Sequence, residues 1–245
     1  MLCKELVGDN KQVKITVCMA VYNGKDFISE QLESIANQTM IVDEIIIVND
    51  CSSDHTMDIV SLYSNVFNMK IINNKENIGV IKSFEKALYN ATGDYIFLCD
   101  QDDVWKPNKV KLMVEKLNKK KGLCISRYEL IDKNTKSLNK VIEIDAKNLS
   151  IVKTIIKNHY IGCSIAFNRE LLNYALPFPK SIPMHDSWLG IIASYYFNIS
   201  VLSESTLLYR RHDNNVTGTR NNITKIIKDR YNLIISLLLR IVWKR

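Results

Sequence analysis

A chain of 245 residues that is 47% hydrophobic has the apolar surface for one large domain, or one domain with a small appendage, and is excluded from the disordered class. The basic balance, 33 Lys and Arg against 26 Asp and Glu for a net +7, suits phosphate-bearing ligands or an anionic membrane surface, and no recognition motif accompanies it that would argue for nucleic acid. Six cysteines stand singly, and no apolar run reaches the ~18–20 residues of a membrane span, so zinc ribbons, disulfide scaffolds and transmembrane helices are excluded as well.

Lys14 to Val21 is a continuous apolar, β-branched run closed by Tyr22-Asn23-Gly24. It reads as a strand buried on both faces, the mark of a parallel sheet, followed by a turn. Ile28, Leu32 and Ile35 then recur at helical spacing. Glu44 to Val48 supplies a second buried strand that stops at Asn49-Asp50-Cys51-Ser52-Ser53, and Ser53 or Asp54 is placed to cap a helix carrying Ile59, Val60, Leu62 and Tyr63. Met69 to Ile72 is a third strand, followed by a helix with Ile81, Phe84, Ala87 and Leu88 on one side that ends at Thr92-Gly93. Asp94 to Cys99 is the fourth strand, and after Pro107 the stripe Val110, Met113, Val114, Leu117 marks another helix. The alternation predicts an α/β fold with a mostly parallel central sheet flanked by helices, binding ligands beyond the strands' carboxyl ends.

After Gly122 the pattern changes. Leu123–Ile131 and Lys136–Ile144 read as a hairpin, residues 150–157 as a helix, and Ile161–Phe167 as a buried strand. A proline-rich loop precedes a helix opening at His185-Asp186-Ser187-Trp188, and a last strand near Ser205–Tyr209 meets Arg210-Arg211-His212. Residues 1–220 are expected to form one domain, with a nucleotide-binding half over about 13–121 and an acceptor-binding half over about 122–220. The tail, 221–245, reads as a basic amphipathic helix, suited to an anionic membrane interface or to packing on the domain or a second subunit. The start, Met1 to Leu6, lacks the pattern of a signal peptide, and the cysteines read as reduced core residues, so the expected compartment is the cytoplasm.

The chemistry concentrates where the fourth strand ends. Asp100, Asp102 and Asp103 put three carboxylates within four residues. Crowded carboxylates repel unless a cation or several donors sit between them, and an all-oxygen set asks for a hard ion such as Mg²⁺ or Mn²⁺. Far along the chain, Asp186 at the mouth of a helix can take a proton, with His185 beside it as a less favoured substitute.

Val21-Tyr22-Asn23, Asn49-Asp50-Cys51-Ser52, Asn77-Ile78-Gly79, Cys99-Asp100-Gln101-Asp102-Asp103-Val104-Trp105, His185-Asp186-Ser187-Trp188 and Tyr209 to Asn215 occur in this order. Together they resemble the family 2 glycosyltransferases, and within them the bacterial rhamnosyltransferase-like enzymes of cell-surface polysaccharide synthesis. The resemblance implies a GT-A fold, a nucleotide-diphosphate sugar donor, a Mg²⁺ or Mn²⁺ ion, and transfer with inversion. It implies Asp50 at the nucleotide base, Asp102 on the metal, Asp100 at the ribose or a metal-bound water, and His212 as a metal or phosphate contact. Val21, Tyr22, Asn23, Asn77, Gly79, Gln101 and Arg211 would line the donor, and Asp186 would be the base. The product expected is a hexose, such as rhamnose, another deoxyhexose or galactose, placed on a glycan acceptor that is lipid-linked, at the inner face of the cell membrane. Rival readings are a nucleotidyltransferase, for which Tyr22-Asn23-Gly24-Lys25 offers no Gly-rich phosphate loop, and a non-catalytic binding module, which intact acid and base positions disfavour.

Overall fold

A computed structural model describes residues 13–212 and 222–243. The expectations for Met1–Leu6, Cys3 and Asp213-Asn214-Asn215 lie outside the described residues. The first half is β1 (Ile15–Val21), α1 (Ile28–Ala36), β2 (Glu44–Asn49), α2 (Thr56–Ser61), β3 (Met69–Asn73), α3 (Val80–Asn90), β4 (Tyr95–Cys99), β5 (Val104–Trp105) and α4 (Lys109–Lys119). The second is β6 (Gly122–Ile131), β7 (Ser137–Ile142), α5 (Ile151–Ile156), β8 (Ile165–Asn168), α6 (Leu172–Ala175), α7 (His185–Tyr196), β9 (Asn198–Arg210) and α8 (Ile223–Trp243).

The strands form one nine-stranded sheet in the order β3-β2-β1-β4-β8-β6-β9-β5, with β7 paired to β6. β3, β2, β1 and β4 are mutually parallel. β8 is antiparallel to both β4 and β6, so β6 and its parallel neighbour β9 run in the same sense as the first four. The carboxyl ends Val21, Asn49, Cys99, Ile131 and Arg210 therefore share one edge of the sheet. Side chains of the central strands alternate into two cores. Cys18, Ile46 and Leu98 meet Phe84 of α3 and Trp188 of α7 on one face, while Met19, Ile47 and Phe97 meet Leu32 of α1 and Met113 of α4 on the other. Covering both faces is what makes these strands continuous apolar runs.

Four details differ from the sequence reading. β9 begins at Asn198, not near Ser205, and runs along β6 for its whole length. Its apolar alternation breaks at Ser203-Glu204, where the β6–β9 register shifts between Ser126 and Arg127, and that irregularity hides the strand. Val104-Trp105 is a short antiparallel edge strand against β9. The run from Ile161 opens with a 3₁₀ turn over Gly162–Ser164 before β8 starts. Finally, α2 ends at Ser61, leaving Leu62 exposed; its N-cap is His55, with Asp54 Oδ1 accepting from the Thr56 amide at 3.0 Å.

Candidate active site

The loops after β1 and β2 are built from side-chain amides because the chain must turn sharply there without regular hydrogen bonding. Asn23 takes a positive φ of 47°, its Oδ1 accepting from the Ser53 amide at 2.9 Å and its own amide donating to Ser52 Oγ at 3.1 Å. Asn49 Oδ1 accepts from the Ser52 amide at 2.9 Å, and its Nδ2 donates to Asn73 Oδ1 at 3.0 Å. Asp50 is buried. Its Oδ1 accepts from Asn74 Nδ2 (2.9 Å) and the Ile78 amide (2.8 Å), and its Oδ2 from the Gly79 amide (2.9 Å). These bonds fix the loop carrying the exposed Asn77, and they use three of the carboxylate's roughly four acceptor positions. Gly79 has φ 86°, a left-handed conformation that lets the loop enter α3.

Gln101 and Val21 both support the loop after β1. The Gln101 side chain brackets Tyr22, with Nε2 donating to the Tyr22 carbonyl at 3.0 Å and Oε1 accepting from its amide at 2.9 Å. A Cβ at Gly24 would stand 2.3 Å from Gln101 Oε1, so a side chain there would push the Gln101 amide off Tyr22. The Val21 side chain is buried and its carbonyl accepts from the Asp50 amide at 2.8 Å.

The acidic loop is held by the last strand. Arg210 at the end of β9 is 1% exposed. Its amide donates to Asp103 Oδ1 (3.0 Å), Nε to the Asp102 carbonyl (2.8 Å), and Nη1 to the Lys133 carbonyl (3.0 Å) and Thr135 Oγ1 (2.9 Å). Nη2 pairs with Glu30 of α1. Arg211, next in the chain, is exposed, whereas Arg210 is buried. His212 Nε2 meets Asp102 Oδ2 at 2.8 Å, and its ring stacks on Phe27 with centroids 4.8 Å apart, on whose ring the Arg210 guanidinium also rests at 5.0 Å.

Negative charge accumulates in this loop. Burial, then the charge of Asp102 and more weakly that of Asp186, push the Asp100 carboxyl up to about 7. Burial and the charges of Asp102 and Asp100 push Asp103 well above the carboxylate range. Lys109, fully buried, donates to the Cys163 carbonyl at 2.7 Å and is too deep to neutralise the whole group. The donor atoms of Asp100, Asp103 and Cys163 lie within 4.8 Å of one another. Burial raises the Cys163 thiol well above its ordinary value, which keeps it protonated, and Asp103 is engaged by Arg210. Asp100 and Asp102, both half-buried, supply hard oxygen donors, and this set fits Mg²⁺ or Mn²⁺.

Asp186 lies in the first turn of α7, whose N-cap is Met184. It is buried, and Oδ1 accepts from Asn158 Nδ2 at 2.9 Å and the Ser187 amide at 2.6 Å. Burial pushes its carboxyl up to about 6 against those bonds. Its charge contributes to the raised Asp100 carboxyl, so the two carboxylates are in electrostatic range of each other. His185 is unsuited to proton transfer: it is buried, stacked on Phe84 at 4.2 Å, and held neutral by burial, which pushes it down to about 3. Glu30, Arg210 and Asn158 complete the site without being expected there. Arg210 stands inside one of the motifs without a role assigned to it, and nothing near Asn158 in the sequence signals its bond to Asp186.

A strand-end acidic loop facing a second carboxylate across a partly parallel α/β sheet defines a GT-A nucleotide-sugar fold. The chain belongs to glycosyl transferase family 2, whose model matches residues 16–175. It is 30% identical over 206 residues to a glycosyltransferase of Rickettsia bellii, covering 78% of this chain and 29% of that one. It is 27% identical to TuaG of Bacillus subtilis, a glycosyltransferase named for teichuronic acid biosynthesis (84% of this chain, 82% of that one). It is 28% identical to WfgD of Escherichia coli, named as a UDP-Glc:α-D-GlcNAc-diphosphoundecaprenol β-1,3-glucosyltransferase (77% and 73%). In fold it matches Staphylococcus aureus TarS in complex with UDP-GlcNAc, with a TM-score of 0.74 at 21% identity over 94% of this chain and 66% of that one. The mannosyltransferase PcManGT of Pyrobaculum calidifontis, in complex with GDP-Man and Mn²⁺, gives 0.64 at 16% identity (98% and 77%).

Proposed function

We propose that this chain is an inverting, metal-dependent hexosyltransferase moving a sugar from a nucleotide-diphosphate donor to a lipid-linked glycan in surface polysaccharide synthesis. The observation that carries it is the pairing of two half-buried carboxylates at the end of β4, Asp100 and Asp102, with a separate buried carboxylate, Asp186, whose charge raises Asp100. Members named for teichuronic acid synthesis and for a diphosphoundecaprenol acceptor support the acceptor class, and neighbours crystallised with UDP-GlcNAc or with GDP-Man and Mn²⁺ support the donor class and the ion.

In this reading Asp102, oriented by His212, and Asp100 hold Mg²⁺ or Mn²⁺, which supplies positive charge to the departing diphosphate. The loops of Tyr22–Asn23, Asp50 and Asn77–Gly79 receive the nucleotide, while Arg211 lies beside the diphosphate. Asp186 accepts the proton of the acceptor hydroxyl as its oxygen bonds to the anomeric carbon. The bond from that carbon to the diphosphate oxygen breaks, and the electron pair leaves with the nucleoside diphosphate. Asn158 and the Ser187 amide keep Asp186 oriented.

The test is a panel of nucleotide sugars offered with a lipid-linked acceptor, with and without Mn²⁺. One donor should release nucleoside diphosphate in a Mn²⁺- or Mg²⁺-dependent way, with turnover reduced about 10²–10⁴-fold in Asp186→Ala and abolished in Asp102→Asn. Turnover that survives either substitution removes that residue from its role.

A further inference from the structure

α8 is apolar on two sides. Leu233 and Leu237 are buried against the body of the protein, beside Arg240, whose Nη1 donates to the carbonyls of Tyr174 (2.6 Å) and Leu176 (3.0 Å). On the other side the 3.6-residue repeat aligns Ile223, Ile227, Tyr231, Ile234, Leu238 and Val242, and all are exposed, from 41% at Ile234 to 73% at Val242. A surface helix ordinarily turns polar residues to water there, so the outer face is suited to an apolar neighbour. α5 adds to it. Val152 and Ile156 are exposed, and Arg230 of α8 donates to the Ile156 carbonyl, joining the two helices.

A groove of about 240 Å³ separates α5 from α8. Ile155, Ile226 and Leu233 line it together with Lys157, Asn158 and Asp229. Beyond Lys157 and Asn158 lies a second, polar cavity of about 260 Å³, walled by Glu143, Asp145 and His159. Lys157 and Asn158 belong to both walls, and Asn158 is the residue that holds Asp186. The groove and the polar cavity thus adjoin at a lysine and at the residue that orients Asp186.

We propose that the outer face of α8, with Val152 and Ile156, docks onto an anionic bilayer, and that the α5–α8 groove carries the hydrocarbon chain of the acceptor from that surface to Asp186. This deepens the acceptor assignment above and rests on it. The glycan occupies the polar cavity, the phosphate lies at Lys157, and the chain fills the groove. Charge selects a bilayer over a second copy of the chain. Lys225 and Lys228 border the outer face, the sequence continues with Lys244 and Arg245, and the single carboxylate of α8, Asp229, lines the groove instead. Two copies meeting face to face would set lysine against lysine, whereas an anionic leaflet provides the counter-charge. Among the described residues no helix is long and apolar enough to cross a membrane, so α8 lies along the surface.

The test sediments the purified full chain with phosphatidylglycerol-containing vesicles and with phosphatidylcholine vesicles. The wild type should bind the anionic vesicles, and Ile234→Glu/Leu238→Glu should reduce the bound fraction at least tenfold with circular dichroism and Tm unchanged. Equal binding by the two proteins, or no binding by the wild type, overturns the docking surface. So does a concentration-dependent dimer, abolished by the same substitutions, in a protein that ignores vesicles. The groove is tested by calorimetry with farnesyl diphosphate as a soluble probe: Ile226→Glu should weaken binding at least tenfold and leave vesicle binding intact, and equal affinity overturns it. Neither assay involves turnover, so each outcome is read independently of whether transfer occurs.

Discussion

At the scale of single residues, the site works by holding carboxylates where they do not ionise easily. As the proposed base, Asp186 must be ionised to accept a proton, yet burial raises its pKa to about 6. Two consequences of opposite sign follow. Acceptor-dependent kcat/KM should fall about tenfold per pH unit as pH drops below about 6, which a pH–rate profile checks. Stability runs the other way: a raised folded pKa gives a contribution that is full below the unfolded value and lost as pH rises through about 6. Asp186→Asn, which keeps an acceptor for Asn158 and Ser187, should therefore raise Tm at pH 8 while removing turnover. Arg210 presents a complementary case. Its planar fork serves Glu30, Lys133, Thr135 and the Asp102 carbonyl at once. A lysine cannot reproduce that geometry, so Arg210→Lys should cost about 2–4 kcal/mol in urea unfolding.

At the scale of elements, packing along α7 sets the position of Asp186, the proposed proton acceptor in its first turn. Gly190 lets the Tyr160 ring lie against the helix, and a Cβ there would stand 2.3 Å from that ring. Tyr160 cannot swing aside without giving up the Leu149 carbonyl, to which its hydroxyl donates at 3.0 Å, and its amide donates to Asn158 Oδ1 at 2.9 Å. Gly190→Ala should thus cost about 1–3 kcal/mol, seen as a lower Tm, and should also reduce kcat by displacing Asn158 while donor KM is unchanged. A drop in Tm with full kcat would separate α7 packing from Asp186 orientation.

Across the whole molecule, the parallel half was readable because each strand is buried on two faces and each helix shows one apolar stripe, signals contained within short windows. Asp102, His212 and Asp186 became candidates through motif resemblance, whereas the buried state of Arg210 and the bond from Asn158 to Asp186 depend on contacts 28 to 180 residues apart, which no local pattern encodes. The same separation has a consequence for biosynthesis. β9 lies inside the sheet, between β6 and β5, although it is the last strand of the chain. Asp100, Asp102 and Asp103 leave the ribosome about a hundred residues before Arg210, so until β9 inserts, the acidic loop lacks the residue that ties it to α1 and to the β6–β7 turn. A nascent chain released early would keep the apolar alternation of its first four strands and still have no assembled catalytic edge, because the final strand supplies the closure.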